Sequence, residues 1–275
     1  MSNYKLRLGT KIWAFSANKI SKTIAYEIKK ICAMGFESVD LDLTVIWNKD
    51  IFEENLPQLK ECLDVIKESG LFFNGIHMPY GGFIDPAHLD AEFRKTSLKI
   101  SKDIFEIIDE YKPKCYIFHG SNEPIPESTR ALALSYLEES LRELKTYKNT
   151  MICVEVLPRS CLINTAKEAK EIIDKVGGVY LCADLNHFLQ EKAEDGILAL
   201  GNRIGTLHVS DHDYIDERHW LPKEGKIDWM KVLKALEETG YQGSFTYELT
   251  ENYAYEQMKE NYDMLFSEYQ KSKTL

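Results

Sequence analysis

No run of about 18 apolar residues, the shortest that spans a membrane as a helix, occurs anywhere in the 275-residue sequence. The first residues, MSNYKLRLG, lack the apolar core of a secretion signal, so the expectation is a soluble, cytoplasmic protein. The six cysteines (Cys32, Cys62, Cys115, Cys153, Cys161, Cys182) form no CxxC pair. Four of them lie in or beside apolar runs and read as reduced core residues. Excess positive charge is also missing. With 34 Lys and Arg against 44 Asp and Glu, the formal charge is −10. That balance argues against a nucleic-acid partner, because a phosphate backbone rewards clustered cations. It does not forbid one, since bound metal ions change the local sign. Composition breaks, Pro/Ser linkers and low-complexity tracts are absent, so residues 1–275 are expected to form a single domain.

What is present is a regular alternation. Apolar, β-rich runs occur at Leu6–Trp13, Ser38–Leu43, Phe72–His77, Lys114–His119, Met151–Val156, Val179–Asp184, Arg203–His208 and Ser244–Leu249. Between them stand amphipathic helical stretches: Ile20–Met34, Leu56–Ser69, Ala91–Tyr111, Glu127–Tyr147, Thr165–Val176, Trp229–Thr239 and Ala254–Tyr269. Ile197–Leu200 suggests a short helix in the remaining gap. Gly35, Gly70, Gly177, Gly178, Gly201 and Gly240 follow helices as C-cap candidates. Eight β/α units in about 250 residues is the count of a closed (β/α)₈ TIM barrel.

In such barrels catalytic groups come from the C-terminal ends of the strands. Here the ends read Trp13, Asp40 or Asp42, His77, His119, Glu155, Asp184, His208 and Glu248. Two residues earlier, on the same inward face, come Gly75, Ile117, Cys153, Cys182, Thr206 and Thr246. The expected interior is therefore small or apolar below and ionisable on top. Glu155, Asp184, His208 and Glu248 bring three carboxylates and an imidazole to one mouth. That donor set suits a divalent ion such as Mn²⁺, Mg²⁺, Co²⁺ or Zn²⁺, and without a cation the buried carboxylates would repel. The stretch Leu207–Trp229 follows strand seven as a long acidic, aromatic loop ending at the N-cap candidate Asp228, and reads as the rim of an active site. Asp211 and Asp213 either organise this loop or are solvated. Gly81-Gly82 reads as loop flexibility rather than a phosphate cradle.

The runs CADLNHF at Cys182–Phe188, LHVSDHD from Leu207, HWLPKEGKIDW from His219 and GYQGSFTYEL at Gly240–Leu249 resemble the xylose-isomerase-like TIM-barrel superfamily. Within it they are most similar to the sugar phosphate isomerase/epimerase group. The likeness starts at GFESVDLDL, Gly35–Leu43, and its second half is the specific one. It implies one divalent metal ion on Glu155, Asp184, His208 and Glu248, and a sugar or sugar phosphate substrate. Glu155 and Glu248 would also be the acid/base pair. His187 and His219 would grip hydroxyls, Trp13 would wall the pocket, and Asp40 would touch substrate, with Asp42 equally placed to face inward. His77 and His119, in HMPYG and FHGS, would contact substrate or support the ligands. Arg159 and Arg218 are candidates for sugar or phosphate oxygens. Homo-oligomers are common in the group, although no interface is legible. Its PGxG loop reads Pro222-Lys223-Glu224-Gly225 here, with Lys for the first glycine, which leaves the rim conformation open.

Two alternatives accompany that reading. His77, His119, His187, Glu217 and His219 are also similar to the ligands of the superfamily's apurinic-site endonucleases, which use three zinc ions. Dehydration of a keto-inositol is a variant of the same proton-abstraction chemistry.

Overall fold

A computed structural model describes residues 4–13, 22–43, 49–82, 84–147 and 151–274. Among these, eight parallel strands close into one barrel in sequence order. They are β1 (Arg7–Trp13), β2 (Ser38–Asp42), β3 (Phe72–His77) and β4 (Cys115–His119), followed by β5 (Met151–Glu155), β6 (Tyr180–Asp184), β7 (Ile204–Val209) and β8 (Ser244–Tyr247). Closure comes from β1, which pairs with β2 on one side and β8 on the other. The helices between them are α1 (Lys22–Ala33), α2 (Lys49–Ser69), α3 (Ala91–Ile108) and α4 (Glu127–Tyr147). Then come α5 (Ala166–Val176), α6 (Ala193–Leu200), α7 (Trp229–Glu238) and α8 (Tyr255–Ser272). The architecture is the expected (β/α)₈ barrel. No described helix is long and apolar enough to cross a membrane.

Local chemistry explains the boundaries. The Asp90, Thr165 and Asp228 side chains accept from the N–H groups of Phe93, Glu168 and Lys231 and so cap α3, α5 and α7. Gly70 and Gly240 take the left-handed conformation after α2 and α7, at φ 76° and 73°. Several boundaries differ from expectation, including the start of α6 at Ala193 rather than Ile197. Helix α2 begins at Lys49 rather than Leu56, with Pro57 inside it; a proline there disfavours helix and hides the extension. Helix α3 ends at Ile108 and tightens into a 3₁₀ turn over Asp109–Tyr111.

Period-2 alternation divides each strand between two environments. Outward residues such as Val39, Leu41, Ile76, Phe118, Val154 and Leu207 pack under helix residues Leu63, Ile104, Leu137, Ile173 and Leu233. Inward, Cys115, Ile117, Cys153 and Cys182 form a separate sealed cluster, and Thr206 and Thr246 are buried with them. The lower barrel is thus plugged by thiols, methyls and small hydroxyls. Ionisable side chains are left to the C-terminal rim, as the sequence pattern implies.

Candidate active site

Glu155 and Asp184 end β5 and β6, His208 is the penultimate residue of β7, and Glu248 follows β8. All four are buried. They can present ligand atoms that lie within 4.8 Å of one another. The donor set and its unsatisfied atoms fit a divalent cation. Asp184 Oδ1 accepts from the Asn186 N–H at 2.8 Å in the 3₁₀ turn Leu185–His187, which leaves Oδ2 buried without a hydrogen bond, 3.6 Å from His187 Nδ1. His208 Nδ1 lies 2.6 Å from Glu248 Oε2, yet that oxygen makes no aligned hydrogen bond. Burial pushes the Asp184 carboxyl up to about 6; the His187 charge opposes this, and Glu248 and Glu155 add to it. Buried polar atoms without partners are costly, and a cation among them removes that cost.

Glu155 is the hub. Its Oε2 lies 3.1 Å from His77 Nε2 and 3.2 Å from His119 Nε2, and its Oε1 lies 3.2 Å from His208 Nδ1. Burial favours its neutral form, but the His119, His208 and His77 imidazoles outweigh that and hold the carboxyl well below the usual range. His77 Nδ1 is 3.1 Å from the Met78 carbonyl and must donate to it. Its Nε2 therefore carries a second proton facing Glu155, or shares a cation with it. Tyr80 stacks on His119 at 3.8 Å between centroids and walls this side. His77 itself is sealed beneath the wall rather than facing the cavity.

On the other flank stands a residue that sequence reasoning missed. Lys11, in the middle of β1, reaches 2.7 Å from Asp42 Oδ2 and 2.6 Å from Glu248 Oε1. Its burial would lower the ammonium pKa, but Asp42 and Glu248 raise it well above the ordinary value. Glu248, opposed by the same burial, is held low by Lys11 and His208.

Asp40 requires a correction as a substrate-contacting residue. It is fully buried one layer down, accepts from Asn74 Nδ2 at 2.7 Å, and approaches His208 Nε2 at 3.4 Å. Gly75 makes room for it, since a Cβ there would lie 3.0 Å from Asp40 Oδ2. Asp40 sits behind His208, near its imidazole but not hydrogen-bonded to it, and Asp42 is the β2 carboxylate in the mouth. Trp13 ends β1 opposite Asp42, and its side chain lies outside the described residues.

The rim loop is built on Asp211. Its carboxylate accepts from the N–H groups of His212 (2.9 Å), Ile227 (3.1 Å) and Lys223 (2.8 Å) and from Trp229 Nε1 (2.8 Å). This buried acid organises the loop and resolves that half of the open choice. Gly225 passes so close that a Cβ would run into Asp211 and the His212 carbonyl. Lys223, standing where the related loop has glycine, takes φ 79°. The glycine-like conformation is thus retained with a lysine in it.

Asn186 Oδ1 accepts from the backbone of Arg218 and His219 at 3.0 and 3.2 Å and fixes the loop over the mouth. Arg218 is a second correction. Its guanidinium turns to Asp213 at 2.9 Å and does not line the cavity. Arg159 does, bound to Glu123, Asp216 and Glu217.

The cavity above the quartet measures about 500 Å³ and is lined by Tyr80, His119, Arg159, His187, Glu217, His219 and Glu248 among others. Its size falls in the range of small-molecule sites. His187 donates from Nδ1 to the Val156 carbonyl at 2.8 Å, and its Nε2 pairs with Glu217 at 3.0 Å. His187 is raised to about 10, its burial outweighed by Asp184 and Glu217. His219 Nδ1 sits 3.0 Å from the Glu248 carbonyl. Besides the quartet, the described residues contain three further groups of converging ligand atoms: His77/His119/Glu155, His187/Glu217/His219 and Glu155/Cys182/His208.

A family model described as xylose isomerase-like TIM barrel matches residues 28–267. D-psicose 3-epimerase of Ruminiclostridium cellulolyticum is 31% identical over 81% of this chain and 77% of its own length. An uncharacterized protein of Methanocaldococcus jannaschii is 24% identical over 53% of the chain, which spans 59% of that relative's length. Among solved structures, the apo form of 3-keto-D-glucoside 4-epimerase from E. coli superposes with a TM-score of 0.74 at 20% identity, covering 96% of this chain and 100% of that one.

Proposed function

Because the chain belongs to the xylose isomerase-like TIM-barrel family, we propose that it is a divalent-metal-dependent sugar epimerase or isomerase acting beside a carbonyl. The observation that carries this reading is the convergence of Glu155, Asp184, His208 and Glu248, with Glu155 and Glu248 flanking the other two in strand order. The sugar epimerases among the relatives support the substrate class.

When bound, a divalent cation supplies stabilisation for negative charge growing on the carbonyl oxygen. The remaining chemistry belongs to the side chains. Glu155 and Glu248 are both held ionised and are available as bases at neutral pH. One takes the proton from the carbon next to the carbonyl. The other, protonated from solvent through the cavity, gives that proton to the opposite face, which inverts that carbon, and the first then releases its proton to solvent. Return by the same carboxylate to the neighbouring carbon gives aldose–ketose exchange instead. His187 and His219 at the cavity wall bind hydroxyls and orient the sugar, and the Tyr80–His119 stack excludes water. Arg159 and Arg218 are each already paired with carboxylates, which favours an unphosphorylated sugar over a phosphate ester.

Glu155→Gln and Glu248→Gln should each slow interconversion of the two epimers by about 10²–10⁴-fold while circular dichroism stays native. Retained interconversion in either variant removes its carboxylate from the acid/base role.

One observation favours a second reading, a three-metal phosphodiesterase. The groups His77/His119/Glu155 and His187/Glu217/His219 adjoin the quartet. The charge of −10 and the carboxylate-paired rim arginines oppose a DNA substrate. Keto-inositol dehydration is separated from epimerisation by its product, which has lost water.

A further inference from the structure

Lys11 has no place in the metal-binding or acid/base assignment, yet its ammonium makes two short contacts in the buried mouth. It lies 2.6 Å from Glu248 Oε1 and 2.7 Å from Asp42 Oδ2, and its side chain is only 8% exposed. These contacts bind β1 to both of its barrel neighbours, since Asp42 ends β2 and Glu248 follows β8. They also make the two oxygens of Glu248 unequal. Oε1 is committed to Lys11, whereas Oε2 lies beside His208 Nδ1 and makes no aligned hydrogen bond. A carboxylate with both oxygens available can clasp an ion through both of them. With one oxygen held by an ammonium, it offers the ion only the other, while the held oxygen keeps a second lone pair for the substrate proton.

We propose that Lys11 is a positioning residue that restricts Glu248 to one-oxygen ligation, keeping a place on the bound ion open for a substrate oxygen. The restriction lowers metal affinity, because the ammonium competes with the ion for the same carboxylate. The inference rests on reading the quartet as a metal site and is independent of which sugar the enzyme accepts. It predicts an unusual combination. Removing Lys11 should tighten metal binding and weaken turnover, whereas removing an ordinary supporting residue loosens the metal about 10–100-fold.

The test needs no substrate. Mn²⁺ is titrated into wild-type protein, Lys11→Met and the double variant Lys11→Met/Asp42→Asn, with water-proton relaxation as the readout. The double variant preserves the local net charge, separating the tether from simple electrostatics. It also avoids leaving Asp42 buried without its cation should the single variant fold poorly. Both variants are expected to bind Mn²⁺ more tightly, by about tenfold in the single variant, and to show lower relaxivity per bound ion, because Glu248 displaces one inner water. Unchanged relaxivity, or a 10–100-fold loss of affinity, overturns the proposal. Failure of wild-type protein to bind Mn²⁺ would overturn the metal reading and this inference together. Mn²⁺ binding without epimerase activity would count against the sugar assignment alone.

Discussion

The two halves of the barrel contribute opposite kinds of group to the same mouth. Strands β5 to β8 bring the candidate ligands Glu155, Asp184, His208 and Glu248. Strands β1, β3 and β4 bring Lys11, His77 and His119, each within hydrogen-bonding distance of one of those carboxylates. The second half therefore supplies the four candidate ligands, and the first half supplies nitrogen groups that hold two of their carboxylates, alongside its own buried acids Asp40 and Asp42. Three buried carboxylates would be prohibitive as an isolated cluster. Distributing their counter-charges over the facing strands lets the fold form before any ion arrives. The rim loop after β7 adds a further contrast, because Asp211 satisfies its carboxylate entirely within the loop and contributes nothing to the ligand set.

The largest effect on folding is expected at that self-contained loop. Asp211→Ala strips four N–H donors of a buried acceptor and should cost about 3–5 kcal/mol, a fall in melting temperature of roughly 10 °C in differential scanning calorimetry. A loss below 1 kcal/mol would show that the loop holds itself without Asp211.

Next in size is the effect of the ion. At a hundredfold excess over Kd, Mn²⁺ should stabilise the fold by about 2.7 kcal/mol at neutral pH relative to chelator-treated protein. This gain should be pH-dependent. Because the Asp184 carboxyl is raised to about 6, the metal-free fold binds its proton more tightly than the unfolded chain does. Its contribution to metal-free stability therefore falls as pH rises through that value. A cation needs the carboxylate, so the metal-induced shift in melting temperature should be full above pH 7 and shrink toward pH 5. A shift that is flat across this range would remove Asp184 from the ligands.

His77→Gln tests the first half's hold on Glu155 directly. Loss of an imidazole from Glu155 should cost about 1–3 kcal/mol in metal-free protein and less when Mn²⁺ is bound, as read from paired thermal melts. Equal costs in both states would mean that His77 is structural only. The smallest change is a gain. Lys223 holds φ 79°, a conformation costing a non-glycine residue about 1–2 kcal/mol, so Lys223→Gly should raise stability by about 1 kcal/mol. Gly225→Ala, beside the same carboxylate, should do the reverse, because its methyl meets Asp211.

Much of this arrangement is readable from the sequence because barrel strands are short, apolar and end abruptly. His77, His119, Glu155, Asp184, His208 and Glu248 stand where such runs stop, and closing the barrel brings those ends together. Depth is not readable in the same way. Asp40 and Asp42 share the inward face, and only the β2–β3 pairing, with its register shift between Val39 and Asp40, shows which lies beneath His208 and which reaches the mouth. Lys11 escapes because it sits inside an apolar strand, 237 residues from Glu248, and the β1–β8 closure alone brings them together. Arg159 and Arg218 lie in loops, where no periodicity predicts direction, so the sequence cannot say which of them faces the cavity.

The proposed site holds a single divalent ion on four side chains of the β5–β8 half. Metal content per chain, measured after loading with Mn²⁺ and removing free ion by gel filtration, tests it most directly. Wild-type protein should retain about one ion per chain, and Asp184→Ala and His208→Ala should retain almost none while still folded. Full occupancy in those variants, or three ions in the wild type, would contradict the claim.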